Sequence, residues 1–162
     1  DHFMIKGQKI FISSGDHQFS NNFVHLVLAR IKGAPSGIKG VSLFVVPKLR
    51  PSENGEFVYN DAVVEGEFEK MGQKGYCTTH LVFGEKEDCR GWLVGEPNKG
   101  LSYMFQLMNE ARIATGRMGT AIASAAYYSS LKYAKERPQG RKLNRSGKKN
   151  NEEEQTLIIN HP

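Results

Sequence analysis

Between Leu101 and Arg137 the apolar residues Met104, Phe105, Met108, Ile113, Met118, Ile122 and Leu131 follow helical spacing, with no proline until Pro138. Pro97 and Asn98 provide a start, and Pro138 with Gly140 an end, so the pattern predicts a single helix of about 37 residues. A helix of that length cannot bury an apolar stripe on itself, and the sequence contains no second helical pattern of comparable length. The stripe therefore calls for further helices. The expectation is a piece of a larger protein, cut at both ends: Asp1 lies inside a strand pattern, and "LIINHP" at 157–162 reads as the start of another apolar helix.

Upstream of the helix the period changes. "HFMIKGQKIFIS" predicts a hairpin turning at Lys6, Gly7 and Gln8, while "FVHLVLARI", "VSLFVVP" and "TTHLVF" read as strands. The glycines, prolines and serines of "GAPSGIKG" and "PSENGE" mark loops. The predicted fold class is α+β. A small antiparallel β-barrel or sandwich domain (residues 1–97) is followed by a long helix belonging to an incomplete helical bundle (residues 98–162).

With 39% hydrophobic residues the chain can form a core, yet no apolar run nears the roughly 18 residues that span a bilayer. No signal-peptide pattern opens it either, so a soluble, cytoplasmic protein is expected, without a membrane partner. Cys77 and Cys89 fit neither a disulfide framework nor a zinc motif, and His2, His17, His25, His80 and His161 show no metal-ligand spacing; no metal is expected. Residues 135–149, "KERPQGRKLNRSGKK", hold seven basic residues against one acid, which accounts for the whole +5 net charge. Such a segment either meets an anionic partner or is a solvated loop.

Seven blocks, "KIFIS", a strand ending "LAR", "KGVSLFVVP", "EKMGQKGYCTTHLVF", "LVGEPNKGL", "MNEARI" and "YAKERPQGR", stand in one order and spacing. In that order the chain resembles the acyl-CoA dehydrogenase family, from the middle β-domain into the carboxyl-terminal helical domain. Within the family it is most similar to the long bacterial branch that includes fatty-acyl and 3-methylthiopropanoyl-CoA dehydrogenases. The resemblance implies a flavoenzyme that binds FAD and assembles as a homodimer or homotetramer. A glutamate would remove a proton α to the thioester of an acyl-CoA, and hydride would pass from the β-carbon to flavin N5. The product would be a trans-2-enoyl-CoA, with electrons leaving to an electron-transferring flavoprotein.

Site residues follow from the same matching. Phe11, Ile12 and Ser13 fall where the family has Trp-Ile-Thr against the flavin; Phe keeps an aromatic face and Ser a hydroxyl. Taken without the resemblance, Phe11 reads as core and Ser13 as a turn residue. Asn109, Glu110 and Arg112 match the segment lining the CoA and acyl cleft, the guanidinium suiting phosphate or carbonyl groups; the alternative is an Arg–carboxylate pair inside the bundle. Arg137 and Gln139 match a helix end whose arginine reaches the FAD pyrophosphate of a neighbouring subunit, although Gly140 and Arg141 replace the usual Phe-Gly. His161 falls near a further flavin-contacting position, with Pro162 departing from the usual neighbour.

No catalytic base is assigned. In one branch the glutamate occupies the position of Ala111, about 100° of helix rotation away from Glu110; in the other it lies beyond Pro162. This piece alone is therefore expected to be inactive and to bind FAD weakly or not at all. Two other readings use the same residues. One is an alkylation-response-like flavoprotein of the family that binds nucleic acid, poorly supported because residues 135–149 lack interleaved aromatics. The other is a non-catalytic β-domain with an interaction helix, which leaves the ordered motifs unexplained.

Overall fold

A run in which every second side chain is apolar and buried becomes a strand with one face on a core. Thr79, Leu81 and Phe83 are buried, whereas Thr78, His80 and Val82 between them are only half-buried. The computed structural model describes residues 1–141, 147 and 154–161, and the solvated segments expected over 142–149 and 151–155 fall largely outside them. Among the described residues the strands are β1 (Phe3–Met4), β2 (Gly7–Ser13), β3 (Val24–Arg30), β4 (Val41–Pro47), β5 (Leu49–Pro51), β6 (Phe57–Tyr59), β7 (Ala62–Glu67), β8 (Thr78–Phe83) and β9 (Arg90–Val94). One helix, α1, spans Gly100–Glu136.

The strands form two antiparallel sheets, β1-β9-β4-β3 and β2-β8-β7, beside the β5-β6 hairpin. Val27, Phe44 and Val46 from the first sheet pack with Ala62, Leu81 and Phe83 from the second in one core. Among the described residues both sheets stay open, so the strands close no barrel. The expected hairpin over residues 2–13 is replaced by a crossing between sheets: β1 pairs with β9, and β2 with β8. Ile5 explains the crossing. Its side chain is buried in the core and its N–H donates to the Cys89 carbonyl at 2.8 Å, while Gly7, at φ +145°, takes a turn that other residues rarely adopt. "PSENGE" does turn the chain, with the Ser52 N–H donating to the Glu56 carbonyl at 2.7 Å, but the turn joins two short strands.

Asn60 ties the two sheets together. Its carboxamide is fully buried between β6 and β7; the nitrogen donates to the carbonyls of Pro47 (2.7 Å) and Arg90 (2.9 Å), and the oxygen accepts from the Arg90 N–H (2.9 Å). The start of β7 is thereby fixed to the end of β4 and the start of β9. Next to it, Asp61 Oδ2 accepts the N–H groups of Lys86 and Asp88, shaping the loop that leads into β9.

α1 begins at Gly100, where a β-carbon would lie 2.3 Å from the Ser42 carbonyl carbon. The Asn98 N–H donates to Ser42 Oγ at 2.8 Å, and Tyr103 packs against Gly95. Farther along, α1 is exposed on all sides, Ile113, Ile122 and Tyr128 included. No helix among the described residues is long and apolar enough to cross a membrane. Instead of a new helix, Leu157 bridges Pro138 and only a single 3-10 turn follows, Ile158–Asn160; the carbonyls of Arg137 and Leu157 take its N–H groups.

Replacing Asn60 by Ala removes the side-chain partner of two carbonyls and one N–H that are buried or half-buried. The expected loss is on the order of 3 kcal/mol in urea denaturation monitored by circular dichroism; a loss below about 1 kcal/mol would show that the link between the sheets is not needed.

Candidate functional site

β2 carries one residue more than its partner. Lys9 pairs with Leu81 and Ile12 with Thr79, so Ile10 and Phe11 together oppose His80 alone, the two-against-one pattern of a β-bulge. Phe11 takes φ +57°, a left-handed conformation uncommon for a bulky residue and concentrated at functional sites. Its ring is turned out of the core, 65% exposed, and stacks on Phe68 at a centroid distance of 4.6 Å and an interplanar angle of 41°. After the bulge the chain is fixed again: Thr79 Oγ1 donates to the Ile12 carbonyl (3.1 Å), and the Ser14 N–H donates to the Cys77 carbonyl (2.8 Å). Ile12 turns inward onto the core, and Ser13 ends the strand exposed.

Ser13 lies on the rim of a hollow of about 370 Å³, lined also by Ile12, Phe23, His25, Leu81 and Met104 of the first turns of α1. His25 is half-buried there, edge-on to Phe83. Burial holds its imidazole below the ordinary value near 6.5, with Asp16 pulling the other way and Lys48 reinforcing the drop. The Asp16–Lys48 pair, 2.5 Å apart and about one-third exposed, fastens the 14–23 loop to the link between β4 and β5. Cys77 Sγ donates to the Asp16 carbonyl at 3.2 Å. Cys89 is buried in the core, where loss of solvation pushes its thiol up to about 12. Among the described residues no cluster of His, Cys, Asp and Glu could hold a metal ion.

The chain divides into two compact units, Asp1–Leu107 and Met108–Pro162. The candidate residues divide with it: Phe11, Ile12 and Ser13 in the first, the others in the second. On α1, Asn109 and Arg112 are three residues apart and share a face. Glu110 is about 100° from the first and roughly 160° from the second. It shares a shallow groove with Ile113, Ala114, Arg117 and Met118. The hydroxyls of Thr115, Thr120 and Ser124 donate to carbonyls one turn back, Thr115 to Ala111 at 2.9 Å.

Arg137, Gln139 and His161, distant in sequence, come together at the end of the second unit. The Ile158 N–H donates to the Arg137 carbonyl (3.0 Å), the Gln139 N–H to the Thr156 carbonyl (2.8 Å), and His161 Nε2 lies 2.7 Å from the Gln139 carbonyl. As that partner only accepts, Nε2 carries the proton. Two residues of the first unit carry no sequence signal as site residues. His25 has no metal-ligand spacing, and Phe68 belongs to none of the ordered motifs; only the fold brings them to the hollow and to Phe11.

No family model matches the chain. Over 161 residues it is 44% identical to the 3-methylmercaptopropionyl-CoA dehydrogenase of Ruegeria pomeroyi, covering 99% of this chain and 26% of the relative. It is 42% identical over 147 residues to a butyryl-CoA dehydrogenase of Syntrophomonas wolfei, covering 87% of this chain and 24% of that one. A solved acyl-CoA dehydrogenase from Geobacillus kaustophilus superposes with a TM-score of 0.64 at 24% identity, over 86% of this chain and 33% of that one, a likeness of fold. The chain thus spans about a quarter of the length of the curated relatives it matches.

Because His25 gives up a proton more readily in the folded state, the unfolded chain binds more protons just below pH 6.5. Stability should be fully present above that pH and fall as the pH drops through the folded value. Urea midpoints of the wild type are therefore expected to decline between pH 7 and pH 5, and His25→Gln to remove that part of the slope; equal slopes would take His25 out of the pH response.

Proposed function

The chain belongs, as a segment, to the acyl-CoA dehydrogenase family, and from that premise we propose that the protein containing it is an FAD-dependent enzyme that oxidises an acyl-CoA thioester to the trans-2-enoyl-CoA. The observation that carries this reading is Phe11: a large apolar ring that a positive-φ bulge holds outside the core, two residues before the hydroxyl of Ser13. Held out in that way the ring packs on Phe68 and stays largely exposed, and a planar aromatic ligand would cover it. The residues present fit part of a flavin: Phe11 offers one face to the ring system and Ser13 a hydroxyl to its nitrogen edge.

Bound FAD would accept the hydride released from the β-carbon of the substrate. The chain's own residues bind and orient. Ile12 and the wall of the hollow would keep water from one side, and Arg137 with Gln139 would face the diphosphate of the FAD bound to a neighbouring subunit, in line with the basic excess of 135–149. Asn109 and Arg112, on their common face, would take the amides and phosphates of CoA. Glu110, turned away from both, fits an outer polar contact and not proton removal. The base, the acyl length and the assembly, a homodimer or homotetramer on this reading, belong to the full protein, with an electron-transferring flavoprotein as the acceptor.

In the full-length protein, flavin absorbance should bleach when a saturated acyl-CoA is added under anaerobic conditions. Arg112→Ala should raise the KM for acyl-CoA about tenfold or more through lost charge-assisted hydrogen bonds. Retained colour with every acyl-CoA tried would overturn the reading, and an unchanged KM would remove Arg112 from the cleft.

A further inference from the structure

Phe68 is the first residue beyond β7, half-buried, and nothing in the sequence marks it as part of a site. Its backbone is fixed, because its N–H donates to the Thr78 carbonyl at 2.7 Å. β7 has its own irregularity just before it. Val64 pairs with Leu81 and Gly66 with His80, so Glu65 is the extra residue. β8 is therefore flanked by a bulge on each side at the level of His80, Ile10–Phe11 on β2 and Glu65 on β7. Bulges bend the strand that carries them and sharpen its twist. The two aromatic side chains that follow meet across β8 with their rings 4.6 Å apart.

Resting on the flavin reading of Phe11, we propose that Phe68 is a positioning residue for the cofactor: it sets the tilt of the Phe11 ring and thereby the face that ring presents to the isoalloxazine. The backbone alone leaves the ring under-determined. Phe11 is 65% exposed, and its positive φ fixes where the side chain leaves the chain but not how the ring turns about its own bonds. Phe68 is the aromatic partner of Phe11, and a ring packed 4.6 Å away limits how far the Phe11 ring can turn. Phe68 does not need to touch the flavin for this. It fixes the ring that does, and so lowers the cost of ordering that ring when the cofactor arrives.

The test is a double-mutant cycle in the full-length protein, read as FAD dissociation constant after reconstitution of apoprotein and as flavin fluorescence quenching. Phe68→Ala is expected to weaken FAD binding by about threefold to tenfold and to relieve part of the quenching, while Phe68→Tyr keeps both. In a Phe11→Ala background Phe68→Ala should add less than about twofold, because the ring it positions is gone. Additive losses, or an unchanged dissociation constant and quenching in Phe68→Ala, would overturn the inference and leave the flavin reading intact. A wild-type protein that binds no FAD would overturn both. Should Phe68→Ala fail to fold, Phe68→Leu keeps the volume without the ring and is read by the same criteria.

Discussion

One buried carboxamide determines which strands can lie where. Asn60 satisfies two carbonyls and one N–H at the point where β4 ends, β7 begins and β9 starts. A buried backbone group without a partner costs of the order of 1–3 kcal/mol, so other ways of joining these three chain ends are strongly disfavoured. With that junction fixed, β8 lies between β7 and β2, and β2 is brought to the side of the core where Ser13 meets the hollow. The position of the candidate flavin wall is thus set by a residue far from it in sequence.

β2 itself shows how the fold accommodates a strained conformation. A regular strand would put Ile10 and Phe11 on opposite faces, one of them on the core. The additional residue lets Ile12 resume packing after the bulge while Phe11 is displaced outward. Left-handed conformations at both Phe11 and Ser14 cost of the order of 1–3 kcal/mol each and persist because the pairing of Lys9 with Leu81 fixes the chain before the bulge and the bonds of Thr79 and Cys77 fix it after. The strain is therefore paired with an exposed ring and an exposed hydroxyl, the two groups the proposed chemistry needs.

What is legible in the sequence follows from which forces are local. β3, β4 and β8 are readable because each alternates or runs apolar on its own, and α1 because proline and glycine bracket a long helical period. The crossing at Ile5 is not readable: a hairpin and a switch between sheets place the same turn residues in the chain, and only the partners, β9 and β8, tell them apart. β5 and β6 have three residues each, too few to show a period. The ordered motifs pick out Phe11 and Ser13, whereas Phe68 and His25 reach Phe11 and the hollow only through distant neighbours and leave no local pattern. The meeting of Arg137, Gln139 and His161 likewise leaves no local pattern, since the bonds that make it run to main-chain groups, from other main-chain N–H groups and from the His161 ring.

The helix settles a question that the string "MNEARI" leaves open. Adjacent letters suggest one polar cluster, but α1 turns about 100° per residue, so Asn109 and Arg112 form one face and Glu110 another. On the proposed reading a single helix cannot offer Arg112 to the CoA and Glu110 to the α-carbon of the same thioester, because the two side chains diverge by roughly 160°. The position at which the resemblance places one branch's base on this helix is Ala111, which has no acid to offer. On that reading α1 offers Asn109 and Arg112 for recognition, and proton removal falls to another residue of the full protein.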